Sequence, residues 1–350
     1  MQRVGVRGSV FPYGVVMATG VSAQLAAVSD NRWLVRCSDP LLALAGVQAV
    51  VIAALGTRAA GWKWSWPSRP SRPSPRALAD RASVGWLTIP IGMDVVGAGL
   101  GGLGGRLAAT GAAAAVGGAA VLTLVLAAEG AGRRGELSLV GIDGRWFLVP
   151  AVFLADAIGT VAVATRFPVS VPALRAVAMA WGGLGVIAYV AVLVLVAVRV
   201  TVAWLDGALP AAWWIAAGCG GLAAAAVGHV AVLFARSSVV VSVASWSALV
   251  LWGVGTALLV PIVAGGVARL FRERRYRGRL GWPPTFSTGV YALGSLQVAR
   301  LRASSVVLQL GHDAGIATVA LWAGTTVLWL YDAVLTDQRP ERGIPGAGAW

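Results

Sequence analysis

The sequence predicts an all-α integral membrane protein of ten transmembrane helices, in which the five odd-numbered helices form an inner ring around a central path. Three observations lead there. Of the 350 residues, 58% are hydrophobic and 12% charged, with a mean hydropathy of +0.78, whereas soluble proteins carry about 25% charged residues. Ten apolar runs near the length of about 20 residues needed to cross a bilayer follow one another along the chain. The odd and even runs differ in character, the odd ones carrying proline, glycine and polar residues and the even ones being mostly smooth Ala, Val and Leu.

The runs are Val10 to Val28, Pro40 to Gly56, Val84 to Leu103, Leu107 to Ala128, Trp146 to Thr165, Ala173 to Val198, Pro210 to Ala235, Val239 to Gly265, Pro283 to Leu301 and Asp313 to Leu335. They make residues 10–335 a single membrane domain, with a tail at 1–9 and another at 336–350. Arg3 and Arg7 before the first run, with Val21-Ser22-Ala23 near its end, also resemble a cleavable signal peptide. The length of that run favours a retained span.

Orientation follows from the basic residues. The N-terminus, the C-terminus and the loops after the even runs hold 20 of the 28 Lys and Arg, and the remaining loops, together with Arg175 and Arg300 near the ends of their runs, hold 8. Both termini and the arginine-dense loops 57–83 and 266–282 are therefore expected on the cytoplasmic side of the cell membrane. The net charge of +14 reports this topology, because nucleic-acid binding needs a basic face on a folded domain. Loop 57–83 repeats Pro, Ser and Arg and reads as disordered, with Trp62, Trp64 and Trp66 suited to the lipid interface. The segment RLFRERRYRGRL, from Arg269 to Leu280, suits anionic lipid headgroups or a cytoplasmic partner.

Each odd run carries a proline in its N-terminal part, namely Pro12, Pro90, Pro150, Pro210 and Pro284, where a kink is expected. Deeper in stand Thr19 and Gly20, Asp94 and Gly97, Asp156 and Gly159, Gly218 and Gly221, and Ser287, Thr288 and Gly289. Such residues are tolerated at membrane depth where protein or cavity water satisfies the backbone, so Thr19, Asp94, Asp156, Ser287 and Thr288 are candidate pore-lining groups. Close packing through small residues explains the glycines equally well.

Five segments carry a family resemblance. PYGVVMATGVSAQLA from Pro12, WLTIPIGMDVVGAGL from Trp86, WFLVPAVFLADAIG from Trp146, AWWIAAGCGGLA from Ala212 and WPPTFSTGVYALG from Trp282 resemble, in order, the inner helices of the tellurite-resistance/dicarboxylate transporter family. That family includes the TehA-like bacterial channels, the plant slow anion channels and the fungal malate permeases. The resemblance implies five helical hairpins around a pore in each protomer, a homotrimer, and transport of small anions such as malate, sulfite, tellurite, nitrate or chloride. It also implies a phenylalanine gate on the ninth helix, matched by Phe286, although Ser287 stands where the family usually has proline.

The main departure from the family is acidic. Asp94 lies eight residues beyond Trp86 and Asp156 ten beyond Trp146, which puts both roughly 12–15 Å into parallel helices. No lysine or arginine stands at comparable depth to pair with them, and at least one carboxyl is expected to hold a proton. Fixed negative charge in a pore would repel anions, and three readings are open. The pair could couple proton movement to an anion, select a cationic or neutral substrate, or hydrogen-bond backbone freed by Pro90 or Pro150. A scaffold or sensor that transports nothing is the remaining non-enzymatic alternative.

Enzymatic activity is not expected. Only His229 and His312 are available, HExxH, GxSxG and P-loop motifs are absent, and the surroundings of the two aspartates are unlike those of intramembrane aspartyl proteases. Cys37 and Cys219 are too few for a disulfide framework or a zinc site. No metal or cofactor is expected, and the expected partners are lipid, a small anion and further copies of the chain.

Overall fold

The computed structural model describes residues 11–28, 32–59, 87–102, 105–132, 144–167, 171–203, 214–272 and 282–337. These residues form ten α-helices: α1 (Phe11–Ala27), α2 (Arg32–Ala59), α3 (Thr88–Gly102), α4 (Arg106–Gly132), α5 (Leu148–Ala164), α6 (Val171–Ala203), α7 (Trp214–Val232), α8 (Ser238–Arg272), α9 (Trp282–Arg302) and α10 (Ser305–Asp337). A 3-10 turn, Gly144–Phe147, leads into α5. The tails, residues 60–86, most of the basic segment after α8 and Pro210 lie outside the described residues.

The odd helices are short, at 17, 15, 17, 19 and 21 residues, and the even ones long, at 28, 27, 33, 35 and 33. Proline placement accounts for part of the difference. Pro12 is the second residue of α1, while Pro90, Pro150 and Pro284 are each the third of their helices. There the missing N–H has no intrahelical partner to lose, and the fixed φ suits a helix start. These prolines stand in the first turn of their α-helices. The interior prolines of the described chain, Pro40 and Pro261, lie on the even helices α2 and α8.

Helices α4, α6, α7, α8 and α10 are long and apolar enough to cross a membrane, and α1, α3 and α5 contain shorter apolar segments. Helix α10 starts eight residues before the run expected from Asp313, because the intervening SVVLQLGH continues the helix.

Each even helix packs chiefly on the odd helix before it, and the odd helices pack on one another in the order α1, α3, α5, α7, α9 and back to α1. The links from odd to following even helix are two to six residues long, a length that joins antiparallel neighbours. Glycine sets the closest approaches. A Cβ on Gly294 of α9 would land on the carbonyl of Gly221 in α7, and one on Gly220 would meet the backbone of Gly255 in α8 at 2.7 Å. Small residues let helix backbones approach in this way where water supplies no hydrophobic drive between them.

The two sets of helices differ sharply in burial. In the apolar window of α7, 78% is buried, against 17% in those of α8 and α10. Large apolar side chains face outward along the even helices, including Val50, Val121, Ile187, Val239, Val250 and Val306. A contiguous surface of this kind is unfavourable in water and is satisfied in lipid, while helices satisfy their own backbone groups there. The chain is a helical membrane protein.

Candidate functional site

Asp94 is the seventh of the 15 residues of α3, and Asp156 the ninth of the 17 residues of α5. Both are buried, at 2% and 0% exposure. Their carboxyls face each other across the α3–α5 contact. Gly159, one turn beyond Asp156, makes this possible: Asp94 Oδ1 comes within 2.9 Å of the place a Cβ would occupy there. Gly97 similarly leaves room for Val116 and Ala115 of α4, drawing that outer helix against the pair.

From α4 comes Thr123, 1% exposed, whose hydroxyl stands beside Asp156 without closing a hydrogen bond. All four carboxyl oxygens and the Thr123 Oγ1 are buried and without a hydrogen-bond partner among the described residues. Thr160 meanwhile donates to the Asp156 carbonyl at 2.6 Å, a bond within its own helix. The expectation that the carboxyls bond backbone freed by Pro90 or Pro150 is thus not met. The prolines sit at helix starts, about a turn or more from the acids, so the groups they free are elsewhere.

Phe286, the fifth residue of α9, is 5% exposed and belongs to the same apolar cluster as Met17 of α1, Ile91 of α3, Ala151 of α5 and Ile215 of α7. Its level follows from neighbouring contacts. Gly289 of α9 lies against Val21 of α1, and Gly20 of α1 against Val95 of α3. With the odd helices running the same way, Phe286 stands at about the level of Asp94.

The other candidates point in several directions. Thr19 Oγ1 accepts a 2.9 Å hydrogen bond from the Trp322 indole of the outer helix α10. Ser287 packs on Gly218 of α7, and both its hydroxyl and that of Thr285 are buried without a hydrogen-bond partner among the described residues. Thr288 donates to the Pro284 carbonyl at 2.7 Å. Further along α9, Tyr291 pairs with Thr256 of α8 at 2.9 Å, and Trp252 of α8 donates to Ser295 at 2.8 Å. Much of the polarity of the inner helices is therefore directed at α4, α8 and α10. His229, in the last turn of α7, bonds the Ala225 carbonyl through Nδ1 at 2.8 Å.

Sequence reasoning missed Thr123, Trp322 and the bonds of Tyr291 to Thr256 and of Trp252 to Ser295. Thr123 sits in the smooth run VLTLVL, where its only signal is being polar among aliphatics. No group of three or more His, Cys, Asp or Glu side chains that could hold a metal ion occurs among the described residues. What the three helices bring together is a set of carboxyl oxygens and one hydroxyl in an apolar setting, which calls for protons or another positive charge to neutralise the carboxylates.

No family model matches the chain. Over 167 residues, which make up 46% of this chain and 84% of the relative, it is 27% identical to the uncharacterized membrane protein Rv1735c of Mycobacterium tuberculosis strain H37Rv. The same figures hold for the uncharacterized membrane protein MT1776 of strain CDC 1551 / Oshkosh.

Proposed function

We propose that this membrane protein moves small anions, a dicarboxylate such as malate, an oxyanion such as sulfite, tellurite or nitrate, or chloride, along a path between its five odd helices. In this reading the molecule is five helical hairpins in a ring, as in the tellurite-resistance/dicarboxylate transporter family it resembles. It sits in the cell membrane with cytoplasmic termini and assembles as a homotrimer. The observation that carries the reading is the cyclic packing of α1, α3, α5, α7 and α9 around an apolar cluster that holds Phe286 at the level of the buried polar band. Phe286 is the occluding group.

The direction of the aspartates supports this. A carboxylate pair on the path would repel an anion, by about 4 kcal/mol per charge at 4 Å with an effective dielectric of 20. Asp156 instead stands beside Thr123 of α4, and Gly159 between the acids packs on Val116 of the same outer helix. A path between the odd helices then passes the pair at one side, where the acids are available to exchange protons as the anion moves. The pair also favours a second reading, a cationic or neutral substrate.

Uptake into proteoliposomes separates these outcomes. Malate, sulfite, nitrate and chloride are each offered with and without an imposed proton gradient, and tetraethylammonium and glycerol serve as cationic and neutral probes. Saturable uptake of at least one anion above protein-free vesicles is expected, with gradient dependence lost in Asp94→Asn. Uptake of the cationic or neutral probe alone would replace the anion reading.

A further inference from the structure

The acid pair has more oxygen ligands than proton sharing uses. Two carboxyls that hold protons between them can satisfy each other, and such a pair needs no third group. Thr123 is nevertheless 1% exposed and beside Asp156, its hydroxyl closing no hydrogen bond among the described residues, and it is delivered by a helix whose neighbouring residues are aliphatic. Gly97 and Gly159 keep open the approach of α4 that brings it there. Among the described residues no Arg, Lys or His stands beside the set, and Val116 of α4 borders it.

We propose that Asp94, Asp156 and Thr123 form a binding site for a dehydrated alkali-metal cation between α3, α4 and α5. The ligand set selects the class of ion. Ca²⁺ takes 6–8 oxygens and Mg²⁺ demands a near-ideal octahedron and retains waters, whereas three residues here offer five side-chain oxygens in an apolar enclosure. Charge balance agrees: one carboxyl holding a proton and the other paired with a monovalent ion make the site neutral, which the low-dielectric setting requires. Coupling ions in transporters occupy comparable midplane positions. Use of the ion in transport rests on the anion-transport reading; its binding does not.

The test is therefore a binding measurement on purified protein in detergent. Thermal unfolding is followed against NaCl and KCl, each compared with choline chloride at equal ionic strength. A saturable rise in the unfolding temperature with Na⁺ or K⁺ and none with choline is expected. The rise should vanish in Asp156→Asn, and its half-saturating concentration should increase about tenfold or more in Thr123→Val while Thr123→Ser stays near wild type. Equal responses to all three salts, or an undiminished alkali response in both Asp94→Asn and Asp156→Asn, would overturn the site. Should the asparagine variants fail to fold, calorimetric titration of NaCl and KCl into the wild type and Thr123→Val decides it, absence of heat from either salt in the wild type counting against it. Binding without anion flux would retire the transport reading alone, and flux without binding the cation site alone.

Discussion

Gly221 and Gly183 are the same residue in neighbouring apolar helices, yet a Cβ on the first would strike the backbone of Tyr291, and one on the second would meet nothing within 4 Å. The contrast extends to whole helices. Odd helices are short, glycine-spaced and buried; even helices are long and display Val, Leu and Ile outward. In a bilayer the two sets answer to different demands, the first to steric fit between backbones and the second to solubility in lipid. Similar compositions thus carry opposite tolerances to substitution.

The largest expected effect is at the α7–α9 contact. Gly294→Leu should destabilise by on the order of 3 kcal/mol or more, since the obstacle is the Gly221 carbonyl and not a flexible side chain. The monodisperse fraction in detergent should collapse accordingly, and a well-folded Gly294→Leu would break the contrast. On the outer helices the vulnerable property is apolarity. Val250→Lys, at a side chain 62% exposed near the middle of the apolar window of α8, should cost about 2.5–3.5 kcal/mol of insertion, read by membrane-integration assays.

Smaller effects sharpen the link between the two sets. Thr19→Val removes the acceptor of the Trp322 indole and should cost about 1 kcal/mol. A double-mutant cycle with Trp322→Phe should recover most of that as coupling; a coupling near zero would mean the bond does not hold α1 to α10. Smallest, and opposite in sign, Gly183→Ala should stabilise by about 0.5–1 kcal/mol in thermal unfolding, because open space surrounds that position.

The alternation itself was legible in sequence, because N-terminal prolines and deeper-lying polar groups are concentrated in alternate runs, from Thr19-Gly20 through Asp94, Asp156 and Gly218 to Ser287-Gly289. So was the pairing of Asp94 with Asp156, since equal depth in parallel helices fixes a common level. What sequence could not supply was azimuth. The same Asp156 faces a central path or an outer helix according to a rotation of α5 that is set by contacts such as Gly159 with Val116. The place of proline within its helix was hidden for a related reason: a span is a hydropathy window, and only hydrogen bonding tells whether Pro90 lies in its first turn or its interior. Thr19 and Trp322 are separated by 303 residues, a distance over which no local pattern carries information.

The central claim is that anions pass between the odd helices and that Phe286 closes the way. Voltage-driven anion flux through proteoliposomes tests it most directly, comparing wild type, Phe286→Ala and, as the outer-helix control, Val250→Ala. Flux should rise in Phe286→Ala and stay at the wild-type level in Val250→Ala. Equal flux in all three folded proteins, or none in any, would contradict a path gated by Phe286.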